Sequence, residues 1–144
     1  LVFYVAHQEE NRMDSATQAA PIPKGALWAG RILSIIPVLL LLTSATAKIL
    51  KPPPVLRGFA QLGYSESIIL KLAIIELTFT AIYLIPRTAI FGAILLTAYL
   101  GGATATHARV GDPAFIGPVL CGVLLWLGLY LRDARLRSLV PLRS

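Results

Sequence analysis

Charge is what this chain has least of. Asp, Glu, Lys and Arg make up only 14% of its 144 residues, where a soluble domain carries roughly a quarter. Cysteine is nearly absent as well. Cys121 stands alone, so no intrachain disulfide can form, and inside an apolar block it reads as a small core residue. The histidines are His7 and His107 only, which leaves no Cys/His cluster for zinc or iron–sulfur and no plausible histidine pair for haem. Gly101-Gly102 falls inside an apolar helix and not between a strand and a helix, so no phosphate-cradling loop exists. No nucleophile–base pair or cofactor fingerprint is present, and the sequence leans away from a self-contained enzyme; no cofactor is expected from the residues.

What the chain has instead is long apolar blocks. It is 56% hydrophobic with a mean hydropathy of +0.74, more apolar surface than a small soluble globule can hide. Crossing the hydrocarbon core takes about 20 residues of helix, and four blocks approach that length. The spacing predicts an all-α fold, a bundle of four transmembrane helices at about 27–49, 67–85, 88–106 and 114–131, forming one membrane domain over 27–131. Residues 1–26 read as a polar, extended, disordered leader without the layout of a signal peptide. Met13 is the only methionine, and residues 1–12 are expected to lie upstream of the true start. Residues 132–144 read as a basic tail.

Punctuation agrees with these spans. Lys51-Pro52-Pro53-Pro54 stops the first, and Pro37 should kink it. Val55, Phe59 and Leu62 share one helical face, which predicts a short interfacial helix ended by Gly63. Ser65 could cap the second span. Pro86-Arg87 is so short a link that the second and third spans must be antiparallel neighbours. Asp112 and Pro113 read as N-cap and first position of the last helix, and Trp126 and Tyr130 as interfacial aromatics. The net charge of +6 does not point to nucleic acid, because the basic residues flank apolar blocks. Lys24, Arg87 and the tail arginines outnumber Lys48, Lys51, Arg57 and Arg109, which favours cytoplasmic termini.

Glu76, in the middle of the second span, is the sharpest candidate. A mid-membrane charge costs about 2.5–3.5 kcal/mol on insertion scales and usually faces protein or water. Lys71 lies on a different face of the same helix and cannot pair with it. Thr80 and Tyr83 follow at i+4 and i+7, so one polar stripe should face the bundle interior. The remaining candidate polar residues are Arg31, Thr104, His107 and Arg109, a set at or near the membrane interfaces. Ala93, Thr97, Gly101 and Ala105 form a small-xxx-small stripe expected to pack against the preceding hairpin arm.

These residues resemble a family. Glu76 with its threonines, Pro86-Arg87, Gly101-Gly102 and His107-Ala108-Arg109-Val110-Gly111-Asp112-Pro113 are similar to the DoxX-like small bacterial membrane proteins. Gly30-Arg31-Ile32-Leu33-Ser34, Lys48 to Pro52 and Gln61-Leu62-Gly63-Tyr64 fit the same pattern upstream. The resemblance implies a four-helix bundle in the bacterial inner membrane. It also implies a non-catalytic or accessory subunit beside membrane redox or oxidative-stress systems, with quinone as the ligand class and a membrane protein as partner. Relatives often carry an acidic residue or glycine near positions 44–45, where this chain has Ser44-Ala45, and a proline where Ser65 stands. Two alternatives stay open. One is a small proton-coupled transporter using Glu76, similar in outline to small multidrug resistance proteins, which carry their carboxylate in the first span. The other is a purely structural protein in which Glu76 pins helices together. The lipid bilayer is the expected surrounding, and homo-oligomerisation is left open.

Overall fold

In the computed structural model the described residues are 22–139 together with Phe3, His7 and Gln8. Most of the expected leader and the last residues of the tail lie outside them. The four long helices are α1 (Lys24–Leu50), α3 (Glu66–Leu84), α4 (Ala89–Arg109) and α5 (Ile116–Arg132). A short helix, α2 (Pro53–Gln61), follows α1, and α6 (Ala134–Leu139) follows α5. A single 3-10 turn, Pro113–Phe115, opens the last crossing. No strand occurs among the described residues.

The turns explain the boundaries. Lys51 closes α1 in the left-handed conformation, φ 48°, with its N–H on the Ala47 carbonyl at 3.0 Å. Pro52 then forces the chain outward, and Pro53 and Pro54 sit in the first turn of α2 where their missing N–H groups cost nothing. Gly63, at φ 82°, turns the chain into α3. Ser65 stands at the N-cap of α3, yet its hydroxyl meets Ser67 at 2.8 Å and makes no capping bond. Asp112 does cap, its Oδ1 accepting from the Ala114 N–H at 2.9 Å.

The four long helices run up, down, up and down in a ring: α1 touches α3, α3 touches α4, α4 touches α5, and α5 returns to α1. Val38, Leu41, Tyr83, Leu96, Leu125 and Leu129 fill the centre. Large apolar side chains also cover the outside, among them Leu39, Ile74, Phe91 and Val123, each more than half exposed. In water that surface would drive aggregation; against lipid tails it is the stable arrangement, because helices satisfy their own backbone groups. All four long crossings are long and apolar enough to span. Hydroxyls on them are folded back: Thr43, Thr78 and Thr104 each donate to the carbonyl four residues earlier at 2.8 Å.

Close approach comes from glycines other than those of the expected stripe. A Cβ at Gly128 would lie 2.5 Å from Ser34 Oγ and 2.9 Å from the Gly30 carbonyl, so α1 and α5 meet backbone to backbone there. A Cβ at Gly92 would lie 2.3 Å from the Tyr83 nitrogen, closing the α3–α4 hairpin. Of the stripe Ala93, Thr97, Gly101 and Ala105, only Ala93 is buried. A Cβ added at Gly101 would have no neighbour within 4 Å, and Thr97 accepts from the Trp126 indole N–H at 2.7 Å. The inward face of α4 runs through Ala89, Gly92, Ala93, Leu96 and Leu100, so Ala93 alone of the stripe lies on it, because the tight Pro86-Arg87 turn fixes the rotation of α4 around Gly92.

Candidate functional site

At the end of the bundle where α1 and α4 finish, the helices diverge around a cavity of about 700 Å³. That size lies within the range of small-molecule sites. Its walls are largely apolar, with Leu40, Leu41, Leu72 and Leu100 from the crossings, and Val55, Phe59 and Leu62 from α2 across its mouth. The same face of α2 that the sequence reads as interfacial therefore covers the cavity, while Arg57 and Gln61 stay exposed.

Polar groups gather on one side. Glu76 of α3 is 2% exposed and its Oε2 accepts from Lys48 Nζ of α1 at 2.8 Å; the lysine side chain is 11% exposed. Lys48 also donates to Ser44, one turn back on its own helix, and lies 5.9 Å from the centre of the Tyr99 ring. Ser44, Lys48, Glu76, Tyr99, His107 and Cys121 all border the cavity. Glu76 is thus not a solitary carboxyl bonded to small hydroxyls. It is half of a buried salt bridge that links α1 to α3.

The rim is built from hydrogen bonds made by the residues that flank α2 and by the end of α4. Arg109 donates through Nη2 to the Leu62 carbonyl at 2.7 Å, and the hydroxyls of Tyr64 and Thr106 meet at 2.9 Å. Lys51 bridges to Glu66 at 3.1 Å beside the start of α2. His107 Nδ1 lies 2.7 Å from Asp112 Oδ2, which fixes the imidazole at the cavity edge. The Ala114 N–H and the His107 ring together hold the Asp112 carboxyl below its ordinary 3.8.

The sequence candidates separate in space. Glu76 and His107 share the cavity, and Arg109 braces its cover. Thr80 is buried, but its hydroxyl is spent on the Glu76 carbonyl at 2.7 Å. Tyr83 lies deeper toward the other end, donating to the Leu125 carbonyl at 3.0 Å with Ser34 Oγ at 3.1 Å, so it ties α1, α3 and α5. Thr104 bonds only to its own helix among the described residues. Arg31 does not join Glu76 and His107: it sits near the start of α1, over the Trp28 ring at 5.5 Å, at the end opposite Lys48. Antiparallel crossings place the beginning of α1 with the end of α5, so one site cannot contain all three.

Sequence reasoning missed Lys48, Ser44 and Tyr99 as members of the site. The available signal was the pair of acids Glu66 and Glu76 at the start and middle of the helix that must run antiparallel to one ending in Lys48 and Lys51.

The DoxX-like family model matches residues 32–128, a stretch that includes every cavity-lining residue named above. No curated protein and no solved structure matches the chain. With a family match over more than half its length and four apolar crossings, the chain is a multi-pass membrane protein of the DoxX-like family.

Proposed function

We propose that this protein binds a lipophilic small molecule with a hydrogen-bonding headgroup in the cavity beneath α2, and does so as a non-catalytic subunit of a membrane redox or oxidative-stress system. The observation that carries the reading is the combination of a 700 Å³ cavity with a buried Lys48–Glu76 pair on its wall. A quinone suits such a site. Its carbonyl oxygens are acceptors, Lys48 and Tyr99 are donors, and Leu40, Leu41 and Phe59 offer an apolar path for a tail. The excess of Lys24, Arg87, Arg132, Arg135 and Arg137 at the other end favours cytoplasmic termini in the bacterial inner membrane, which puts the cavity near the outer face.

The ion pair weighs against simple proton exchange at Glu76, because a cation substrate would first have to displace Lys48. It remains compatible with a structural role, and the test must separate that role from binding. The measurement is thermal stability of the detergent-purified protein with quinones and with lipophilic cations, for wild type, Glu76→Gln and Gly102→Leu. A ligand at 100 times its Kd adds about 2.7 kcal/mol. Gly102 borders the cavity with no atom within 4 Å of an added Cβ, so Gly102→Leu starts from open space and is expected to narrow the cavity; the Tm of the unliganded variant checks that the fold is kept. Stabilisation by quinone that is lost in Gly102→Leu is the expected result. Stabilisation by cations alone would move the reading to transport, and no response to either class would refute an intrinsic small-molecule site.

A further inference from the structure

The opposite end of the bundle holds a second cavity, of about 160 Å³, between the start of α1, the Pro86 turn and the end of α5. Arg31, Arg132 and Asp133 are its polar wall. Arg132 lies with its guanidinium carbon 5.2 Å from the centre of the Tyr83 ring. Stacking occupies the flat face of a guanidinium, whereas its N–H groups radiate in the plane and need acceptors at the edge. Nε and Nη2 of Arg132 are buried and have no acceptor among the described residues. Buried donors left without a partner are rare, and each calls for an explanation.

The neighbouring groups do not supply one. Asp133 turns its Oδ1 to the backbone N–H groups of Arg135 and Leu136 at 2.8 and 3.3 Å. Arg137 is directed elsewhere, to the Tyr130 and Leu131 carbonyls at 2.9 Å each. Arg31 is exposed and stacked on Trp28, an aromatic–cation pair of the kind found at headgroup depth. A guanidinium fork without acceptors matches carboxylate and phosphate oxygens bidentately, and phosphate is the anion that a membrane surface supplies in quantity. A small rotation of Arg132 brings its Nε–Nη2 edge, sealed from solvent here, to the cavity.

We propose that the Arg31–Arg132 cavity is a phosphate site, with Arg132 as the inner donor and Arg31 at the outer edge. The phosphate belongs to an anionic phospholipid headgroup or to a free phosphate ion. This proposal does not depend on the cavity beneath α2.

The test uses the full chain in detergent, with native mass spectrometry and thermal unfolding against phosphatidylglycerol, phosphatidylcholine and inorganic phosphate. Preferential retention of phosphatidylglycerol is expected, with a rise in Tm, and at least ten-fold weaker retention in Arg31→Gln and Arg132→Gln. A rise produced equally by inorganic phosphate, and lost in the same variants, supports the site and assigns it to the free ion. Retention of phosphatidylglycerol that is undiminished in both variants, with no effect of inorganic phosphate on Tm, overturns it. If Arg132→Gln does not fold, Arg31→Gln decides, since that side chain is exposed; undiminished retention in Arg31→Gln overturns the proposal.

Discussion

Removing the Lys48–Glu76 pair one member at a time, and then together, separates what holds the bundle from what addresses a ligand. Glu76 is 2% exposed and Lys48 11%, so neither charge has ready access to water once its partner is gone. Truncating one member of a buried pair costs about 3–5 kcal/mol. The low end applies here, because polar groups of the cavity wall, Ser44 and Tyr99 among them, stay beside whichever charge is left. Lys48→Met is therefore expected to cost about 3 kcal/mol, and Glu76→Leu a similar amount. The double variant removes both desolvated charges and is expected within about 1 kcal/mol of wild type, or above it. The coupling energy should then reach or exceed the upper end, about 3 kcal/mol, usual for contacting residues. The assay is equilibrium unfolding of the detergent-solubilised protein in dodecyl sulfate, followed by far-UV circular dichroism. Two results would refute the reasoning: a Lys48→Met cost under about 1 kcal/mol, or a double variant as unstable as the sum of the singles. Where the double variant folds, a quinone-induced rise in Tm that survives in it would reduce the pair to a clamp, and loss of that rise would tie the pair to the headgroup.

Gly92→Ala should destabilise strongly, near the upper end of the about 1–3 kcal/mol usual for overpacking, because the added carbon meets Tyr83 backbone at 2.3 Å; Gly101→Ala, with open space around it, should leave the unfolding midpoint unchanged or raised. Arg109→Ala removes the bond to the Leu62 carbonyl and should speed hydrogen exchange over 53–62 relative to α3, with Tyr64→Phe adding to the effect through the lost contact with Thr106; unchanged exchange in the pair would show that packing alone holds α2. The Asp112 carboxyl is held below 3.8, first by the Ala114 N–H and then by His107. Its contribution to the turn is therefore fully present above that value and is lost as pH falls through the lower, folded one. The Asp112 carboxyl carbon signal in NMR should therefore show its carboxyl midpoint below 3.8, and a midpoint at or above that value would contradict the assignment.

The bundle was legible because lipid imposes a coarse rule: apolar stretches of spanning length, broken by Pro86-Arg87 and Gly111-Asp112-Pro113, leave few other folds. The inward stripe of Glu76, Thr80 and Tyr83 followed from helical spacing alone. Rotation of α4 did not, since Ala93, Thr97, Gly101 and Ala105 look as suitable for close approach as Gly92, and only the path of the tight hairpin decides between them. The partner of Glu76 was hidden for a related reason. Lys48 sits in the last turn of α1, where a lysine reads as an interfacial marker, and nothing local says that its side chain turns inward along the helix. The grouping of Arg31 with His107 failed on topology, because residues at the start of the first crossing and the end of the third lie at opposite membrane faces.

Association of helices in lipid lacks the hydrophobic drive available in water and rests on close packing and polar links. The two ends of this bundle use those forces in different proportion. Toward the start of α1, Gly30 and Gly128 bring two backbones within the reach of a missing Cβ, and Tyr83 ties three helices at their centre. Toward the end of α1 the helices part to leave about 700 Å³, and van der Waals contact across that gap is necessarily poor. What spans it is polar: Lys48 to Glu76, Lys51 to Glu66 and Arg109 to Leu62. A cavity in a membrane bundle forfeits packing that must be replaced by directional bonds, and the buried ion pair of Lys48 with Glu76 falls on that end for this reason. The same residues then face whatever fills the cavity, so a ligand headgroup would compete for groups that the fold itself requires, and binding at this site should always be read together with stability.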